Sequence, residues 1–490
     1  MKHSPSALFL FTALFSILTI FVGCRKDQIT TDPSVKLTFS ADSVIFDTVF
    51  TSIGSVTRKL MVYNTHNDRL NISSISLAAG EQSPFRINVD GSPGTNVKDI
   101  EIAPHDSAFI FVRVTIDPTD ESNPYVVEDD LNFRINGNEQ MVKLVAWGQN
   151  AIYILADQQV EGFPAFHIVA DSLETVTWTA EKPYVVYGYA LINSYGKLIM
   201  EPGTRVYFHD KSGLWAYVNG VLQVKGSLEN PVTFQGDRLD QDYRDVPGQW
   251  DRIWLMEGRA GFDHEIDYAI IRNGFIGLQA ESFLTPTANR LKISNTIIEN
   301  HTGIGVFSRL FNIEADNVVV ANCGNYAAAL TMGGSYHFRH MTMANNWSFG
   351  PRNNPSLFLS NYFLDADENT VPVPLNFSAG NSIIYGSNNE EVSTDFVAGA
   401  DSVYLFDNCL IRTERNLSLW PGFKDCLVNI DPQFRDYETF DFQLDTLSPA
   451  IDKGKAGIAA EVPYDLNGVD RTLTPDLGAY EFVKPFQRLR

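Results

Sequence analysis

The stretch IDYAIIRN at residues 266–273 recurs along the chain as ISNTIIEN at 293–300, ADNVVVAN at 315–322 and FRHMTMAN at 338–345. Looser copies follow as AGNSIIYG at 379–386 and FDNCLIRT at 406–413, neither of which ends in Asn. The paired residues run Ile270/Ile271, Ile297/Ile298, Val319/Val320, Thr342/Met343, Ile383/Ile384 and Leu410/Ile411, in steps of 27, 22, 23, 41 and 27 residues. A period of roughly 20–30 residues marks a solenoid, in which each unit buries its apolar face only against the next. The 41-residue step holds one coil plus an insertion around residues 351–374. Each unit is a short strand that ends in a polar turn, so the expected solenoid is a stack of β-coils. Asn273, Asn300, Asn322 and Asn345 share one position of successive coils. Their amides can bond up and down such a stack as a ladder.

Working towards the N-terminus, the first coils show the period of two that a half-buried strand requires. Leu198, Met200, Val206, Phe208, Leu214, Ala216, Val218, Leu222 and Val224 form the expected core face, while Lys197, Glu201, Arg205, Gln223 and Lys225 point outward. Tyr207, Trp215 and Tyr217 fall on outward positions against that rule. Flat amphipathic rings on a rigid sheet suit stacking against sugar rings, which makes these three the glycan-binding candidates. The competing reading is that this face packs against the preceding domain or the connector.

Residues 37–149 also alternate with period two, as in Leu60-Val62, Ile110-Val112-Val114-Ile116, Leu131-Phe133-Ile135 and Val142-Leu144-Ala146. Asn136-Gly137 sits between the last two runs, a strong signal for a tight hairpin. Short strands with no helical period imply a β-sandwich. The layout resembles the immunoglobulin-like domains that serve as spacers ahead of catalytic or repeat domains in bacterial envelope proteins. Residues 150–181 read as a connector, 182–445 as the β-coils, and 446–490 as a closing segment. The expected fold class is all-β.

Three segments carry a more specific resemblance: GKLIMEPGTRVYF at 196–208, GVLQVKGSLENPVTF at 220–234, and Gly248-Gln249-Trp250 with Ile253. They resemble the right-handed parallel β-helix proteins of the pectin-lyase-like superfamily. The end of the chain is similar to a terminal segment that many of them share: SPAIDKG at 448–454, Asp465-Leu466-Asn467-Gly468, Arg471, and PDLGAYE at 475–481. That segment is expected to close the last coil, since an open coil exposes an unpaired edge. The superfamily includes pectate lyases, polygalacturonases and proteins without activity, so the fold alone assigns no chemistry.

The pieces of those enzymes are missing. The coil region lacks the Asn-Thr-Asp, Asp-Asp, Gly-His-Gly and Arg-Ile-Lys set of a polygalacturonase-like hydrolase; the only Asp-Asp pair, Asp129-Asp130, lies in the sandwich. The acidic loop Asp237, Asp240, Asp242 and Asp245, with Arg238 and Arg244, gathers its carboxylates in one turn, where a calcium-dependent lyase needs them on neighbouring coils. The run Asp365-Ala366-Asp367-Glu368 has the same defect. Cys409 and Cys426 could pair in an oxidising compartment, leaving Cys323 over, and no Cys/His spacing matches a metal site. No cofactor is expected.

The net charge of −22 argues against nucleic acid or an anionic membrane surface as partner. Residues 1–23 read as a signal peptide, with Lys2 ahead of an apolar run. Phe21-Val22-Gly23-Cys24 resembles the bacterial lipobox, which implies lipid attachment at Cys24, a flexible tether over 24–36 and a place on the outer membrane. The expected function is a cell-envelope lipoprotein acting as a non-catalytic glycan-binding or structural β-helix. A polysaccharide lyase or hydrolase and an adhesion or assembly protein are the alternatives.

Overall fold

The computed structural model describes residues 28–51, 54–117, 125–283 and 287–484. The chain divides after Asn150 into two compact units. Cys24 and residues 1–23, read from sequence as a signal peptide, lie outside the described residues.

The first unit is a pair of five-stranded sheets. One orders its strands Thr38–Phe39, Arg58–Tyr63, Ser107–Val114, Phe85–Val89 and Ser92–Gly94; the other Ser43–Phe50, Asn138–Gln149, Tyr125–Ile135, Leu70–Leu77 and Asn96–Ile102. Neighbours are antiparallel except Ser43–Phe50, which runs parallel to Asn138–Gln149 with an irregularity at Ala146/Trp147. The inward members of the alternating runs, among them Val62, Ile110, Val112, Phe133 and Leu144, share one core. Asn136 and Gly137 both have positive φ, 49° and 82°. A two-residue turn that matches strand twist demands this of both positions, which is why Asn-Gly occupies them.

In the second unit, strands skip their immediate neighbours. Ile152–Leu155 pairs in parallel with Tyr184–Tyr187, Phe166–Ala170 with Tyr189–Ile192, and Thr175–Trp178 with Lys197–Met200. Three strands therefore make one coil, and stacking the coils generates three parallel sheets wrapped around a single apolar core, a parallel β-helix. Face one begins with Ile152–Leu155, face two with Phe166–Ala170 and face three with Thr175–Trp178.

The stretch read as a connector, 150–181, is thus the first coil. Its irregular appearance comes from the hairpin-like excursion between Ile152–Leu155 and Phe166–Ala170, which breaks the sequence period without breaking the ladder.

The repeated pairs sit on face one in the expected register. Ile270 and Ile271 pair with Ile297 and Ile298, these with Val319 and Val320, then Thr342 and Met343, then Ile383 and Ile384, then Leu410 and Ile411. The second residue of each pair is inward: Ile271, Ile298, Val320, Met343, Ile384 and Ile411 belong to the core. The first residue points out.

Asparagine marks two corners. Asn273, Asn300 and Asn322 leave face one with φ of 65°, 61° and 49°, and Asn300 donates its Nδ2–H to Asn273 Oδ1 at 2.8 Å. Asn295, Asn317, Asn381 and Asn408 enter face one with φ of 48–56°, and Asn317 donates to Asn295 Oδ1 at 3.0 Å. Asn tolerates this left-handed backbone better than other L-residues and carries an amide that can bond the next coil. Local conformation selects Asn at these corners; the expected ladder through Asn273, Asn300, Asn322 and Asn345 is made only at its first step, because Asn300 Oδ1, Asn322 Oδ1 and Asn345 Nδ2 find no partner.

The closing segment departs from expectation. It runs along the side of face one. Asn317 donates to Tyr464 O, Thr342 Oγ1 accepts from Ala479 N, Asn381 O accepts from Gly478 N, and Asn408 donates to Lys453 O. Leu466, Leu477, Ala479 and Tyr480 cover the outward Val319, Ile383 and Leu410. Those positions are aliphatic on both sides of the strand, so the sheet needs a lateral cover. The motif residues hold that cover in shape. Asp465 accepts from the backbone N–H of Asn467, Val469 and Glu481, Asp476 from those of Asp452 and Phe482, and the fully buried Arg471 lies 3.4 Å from Glu481.

Candidate functional site

Trp215, Tyr207 and Tyr217 do not form an exposed platform. Trp215 is 3% exposed, Tyr207 8% and Tyr217 37%. The Trp215 ring stacks on Trp254 at 4.8 Å, is covered by Phe163 at 5.4 Å, and meets Phe166 and Tyr217 edge-on. Phe163 comes from the excursion of the first coil, the stretch read as a connector, so these rings pack against it. Tyr207 lies in another row, beside Gln235 on the next coil of face one. The three candidates are not brought together.

The acidic loop is satisfied internally. Arg238 bonds Asp240 at 2.9 Å and lies over the Tyr243 ring, Arg244 pairs with Asp245, and His209 bonds Asp237 at 2.8 Å. Asp365 accepts from Asp367 N and Asn369 N as a turn cap. Among the described residues, no group of three or more His, Cys, Asp or Glu is placed to hold a metal ion. His340 is buried and bonded to Asn381.

Face three offers what these lack. Its outward residues align coil by coil: Gln223, Glu265, Lys292, Glu314, His337 and Ser378 in one row, and Lys225, Asp267, Ser294, Asp316, Arg339 and Gly380 in the next. In-register rungs repeat about every 4.8 Å. The face therefore presents a flat polar lattice of donors and acceptors, and two clefts open on it. One, of about 420 Å³, is lined by Glu314, His337, Arg339 and Ser378, with Ile458 and Glu461 from the closing segment as its wall. The other, of about 320 Å³, is lined by Lys197, Gln223, Glu265 and Lys292 with Phe262 and Asp263 alongside.

Charge on this face is balanced by cross-coil pairs. Asp263 takes Arg290 at 3.2 Å and Lys292 at 3.1 Å, Arg290 reaches Glu314 at 2.6 Å, and Arg339 bonds Asp316 at 2.7 Å and also Glu461. Burial alone would raise the Asp263 carboxyl, but the Arg290 backbone N–H and the two cations outweigh it and hold it below the usual range. Burial raises the Asp316 carboxyl despite Arg339. His337 bonds Ser378 Oγ through Nδ1 at 2.9 Å and Ser335 Oγ through Nε2 at 3.3 Å. Both ring nitrogens are thus engaged by hydroxyls. The row was legible in outline, because Glu265, Lys292, Glu314, His337 and Ser378 each precede the first residue of the repeated pair by five positions.

No family model and no curated protein matches the sequence. Among solved structures, parts of the chain are similar to a family 123 glycoside hydrolase from Clostridium perfringens, at 7% identity over 30% of each chain with a TM-score of 0.19. The VesB protease of Vibrio cholerae is similar at 12% identity over 24% of this chain and 33% of that one, with a TM-score of 0.17. The chain spans about a third of the length of either, and likeness at this level carries no argument about function.

Proposed function

We propose that this protein is a lipid-anchored component of the bacterial cell envelope whose β-helix binds an extended glycan without cleaving it. The observation that carries this reading is the polar lattice of face three, with Lys292, Glu314, His337 and Ser378 repeating at rung spacing beside Phe262 and Ile458. A polymer of hydroxyl-bearing rings offers donors and acceptors along a line. A flat array of paired charges can meet them without burying an isolated ion. The neighbouring Phe262 and Ile458 supply apolar surface for ring faces. Lipidation at Cys24 would tether the chain, and the immunoglobulin-like unit would act as spacer, as in the pectin-lyase-like envelope proteins that the sequence resembles.

The test uses the soluble protein lacking residues 1–24 and a panel of acidic and neutral polysaccharides, scored for gel-shift retention and for unsaturated or reducing-end products. Retention without products is expected, weakened at least about tenfold in a His337→Ala/Phe262→Ala double variant that keeps its melting temperature. Products would establish a lyase or hydrolase instead; neither retention nor products would leave a structural rod.

A further inference from the structure

Cys409 and Cys426 stand on adjacent rungs. Leu410 pairs with Leu427 and Ile411 with Val428, so the residue before each pair is also opposed, and Leu427 N–H donates to Cys409 O at 2.8 Å. Each cysteine follows a left-handed corner residue, Asn408 with φ 56° and Asp425 with φ 52°, and each faces the core. The corner position they share is filled in earlier coils by Ala269, Thr296, Val318, Met341 and Ser382. The hydroxyls of Thr296 and Ser382 and the thiols of Cys409 and Cys426 all reach the carbonyl two residues back. A corner hydroxyl would serve that bond as well as a thiol does, so local geometry does not explain why two consecutive coils carry sulfur.

We propose that Cys409 and Cys426 are a disulfide-forming pair that staples the terminal rung of the β-helix to the rung before it. In-register parallel rungs lie about 4.8 Å apart, inside the Cα separation of about 4.4–6.8 Å that a disulfide spans. The two thiols are free in this structure and sit at the same corner of adjacent rungs. Their environments divide the roles. Cys409 is fully buried, whereas Cys426 is half-buried on the last rung and is the sulfur that a small disulfide can reach. Cys426 is therefore the attacking thiolate. It adds to one sulfur of a low-molecular-weight disulfide, forming a mixed disulfide and expelling one thiolate. Cys409, as its thiolate, then attacks Cys426 Sγ and expels the second. Two protein thiols are oxidised, one small disulfide is reduced to two thiols, and the two protons pass to the leaving thiolates. Bond closure requires the Cys426 side chain to leave the Phe406 carbonyl, which its Sγ reaches at 3.5 Å. Cys323 lies on another corner, buried and bonded to Ala321 O, and has no part in the exchange.

The reaction is tested on the purified soluble protein with oxidised glutathione, so it does not depend on the envelope location. After native incubation, acid quench and alkylation under denaturing conditions, peptide mass spectrometry should find the 409 and 426 peptides linked and Cys323 alkylated. The oxidised protein should melt several degrees higher, and reductant should abolish the shift. Cys426→Ser, which keeps a hydroxyl for the corner bond, should fold normally and show neither link nor shift. Alkylation of both cysteines, or a stable glutathione adduct on Cys426 that Cys409 never resolves, would overturn the proposal.

Discussion

At the scale of single residues, the repeated aliphatic pair has two unequal members. Ile298 is fully buried in the coil interior, whereas Ile297 is half-buried beneath the closing segment. An aspartate at 298 has no partner and no water, so Ile298→Asp should cost about 3–5 kcal/mol and melt several coils together. Ile297→Asp can turn its carboxylate towards the edge of the cover and should cost markedly less. Chemical denaturation of the two variants checks the order, and equal losses would mean that the inward and outward assignments are wrong. Trp215 gives a parallel test on face two. Enclosed by Phe163, Phe166 and Trp254, with its indole Nε1 left without a hydrogen-bond partner, it holds packing rather than a ligand. Trp215→Ala should lower stability by about 3 kcal/mol or more, as buried aromatic truncations do. Tyr217→Ala, at a partly exposed ring, should cost less than about 1 kcal/mol. Unchanged melting of Trp215→Ala would return the ring to the list of binding residues.

At the scale of elements, two buried histidines of the coils and a buried carboxylate of their cover titrate in opposite directions. His264 accepts from Leu222 N through Nδ1 and donates from Nε2 to Met256 O; His301 accepts from Gly274 N and donates to Ile271 O. Both rings are neutral bridges between backbone groups, and burial pushes each down to about 4. Because the folded value lies below the unfolded 6.5, their contribution is fully present above pH 6.5 and is lost as pH falls towards 4. The loss is on the order of 3 kcal/mol per histidine. In the closing segment, burial and the neighbouring Asp476 push Glu481 up to about 8. Its folded value lies above the unfolded one, so its contribution is present below about pH 4.5 and fades as pH rises through 8. Urea midpoints measured from pH 4 to 9 should therefore fall on both flanks, and Glu481→Gln should reduce the alkaline slope, leaving the part due to Glu299, which burial pushes up to about 7. A variant that left the alkaline slope unchanged would show that Glu481 is not the group responsible.

At the scale of the whole molecule, an all-β chain keeps its apolar surface covered in two ways. Interior residues stack coil on coil, and the outward aliphatics of face one lie under residues 446–482. Among the described residues no helix is long and apolar enough to cross a membrane. On the proposed reading, the lipid on Cys24 would supply the membrane tether. Cys24→Ser, once freed of its signal peptide, should leave the membrane fraction after a high-salt wash. Persistent sedimentation would remove lipidation as the tether.

Much of this architecture was legible in the residues alone, and for a definite reason. A solenoid repeats its local environment, so the spacing from Ile270 to Leu410 states which residues are hydrogen-bonded neighbours, and the observed register agrees at each step. Alternation likewise assigned the core of the sandwich. What surrounds an outward residue depends on segments distant in sequence, and no local period encodes them. Trp215 and His337 are both outward on their strands. One is covered by Phe163 from an earlier excursion, and the other lines an open cleft whose wall is Glu461. The first coil is hidden in the sequence because its loop interrupts the period, and the closing segment's motif encodes its own internal bonds and not the face it covers. Sequence determined which residues face inward, through the two-residue period of the strand, failing where a turn ends that period: Val218, expected in the core, packs against the outward Trp215 cluster instead. Only the tertiary structure decided which outward residues meet solvent, because that depends on chain segments brought together by the fold.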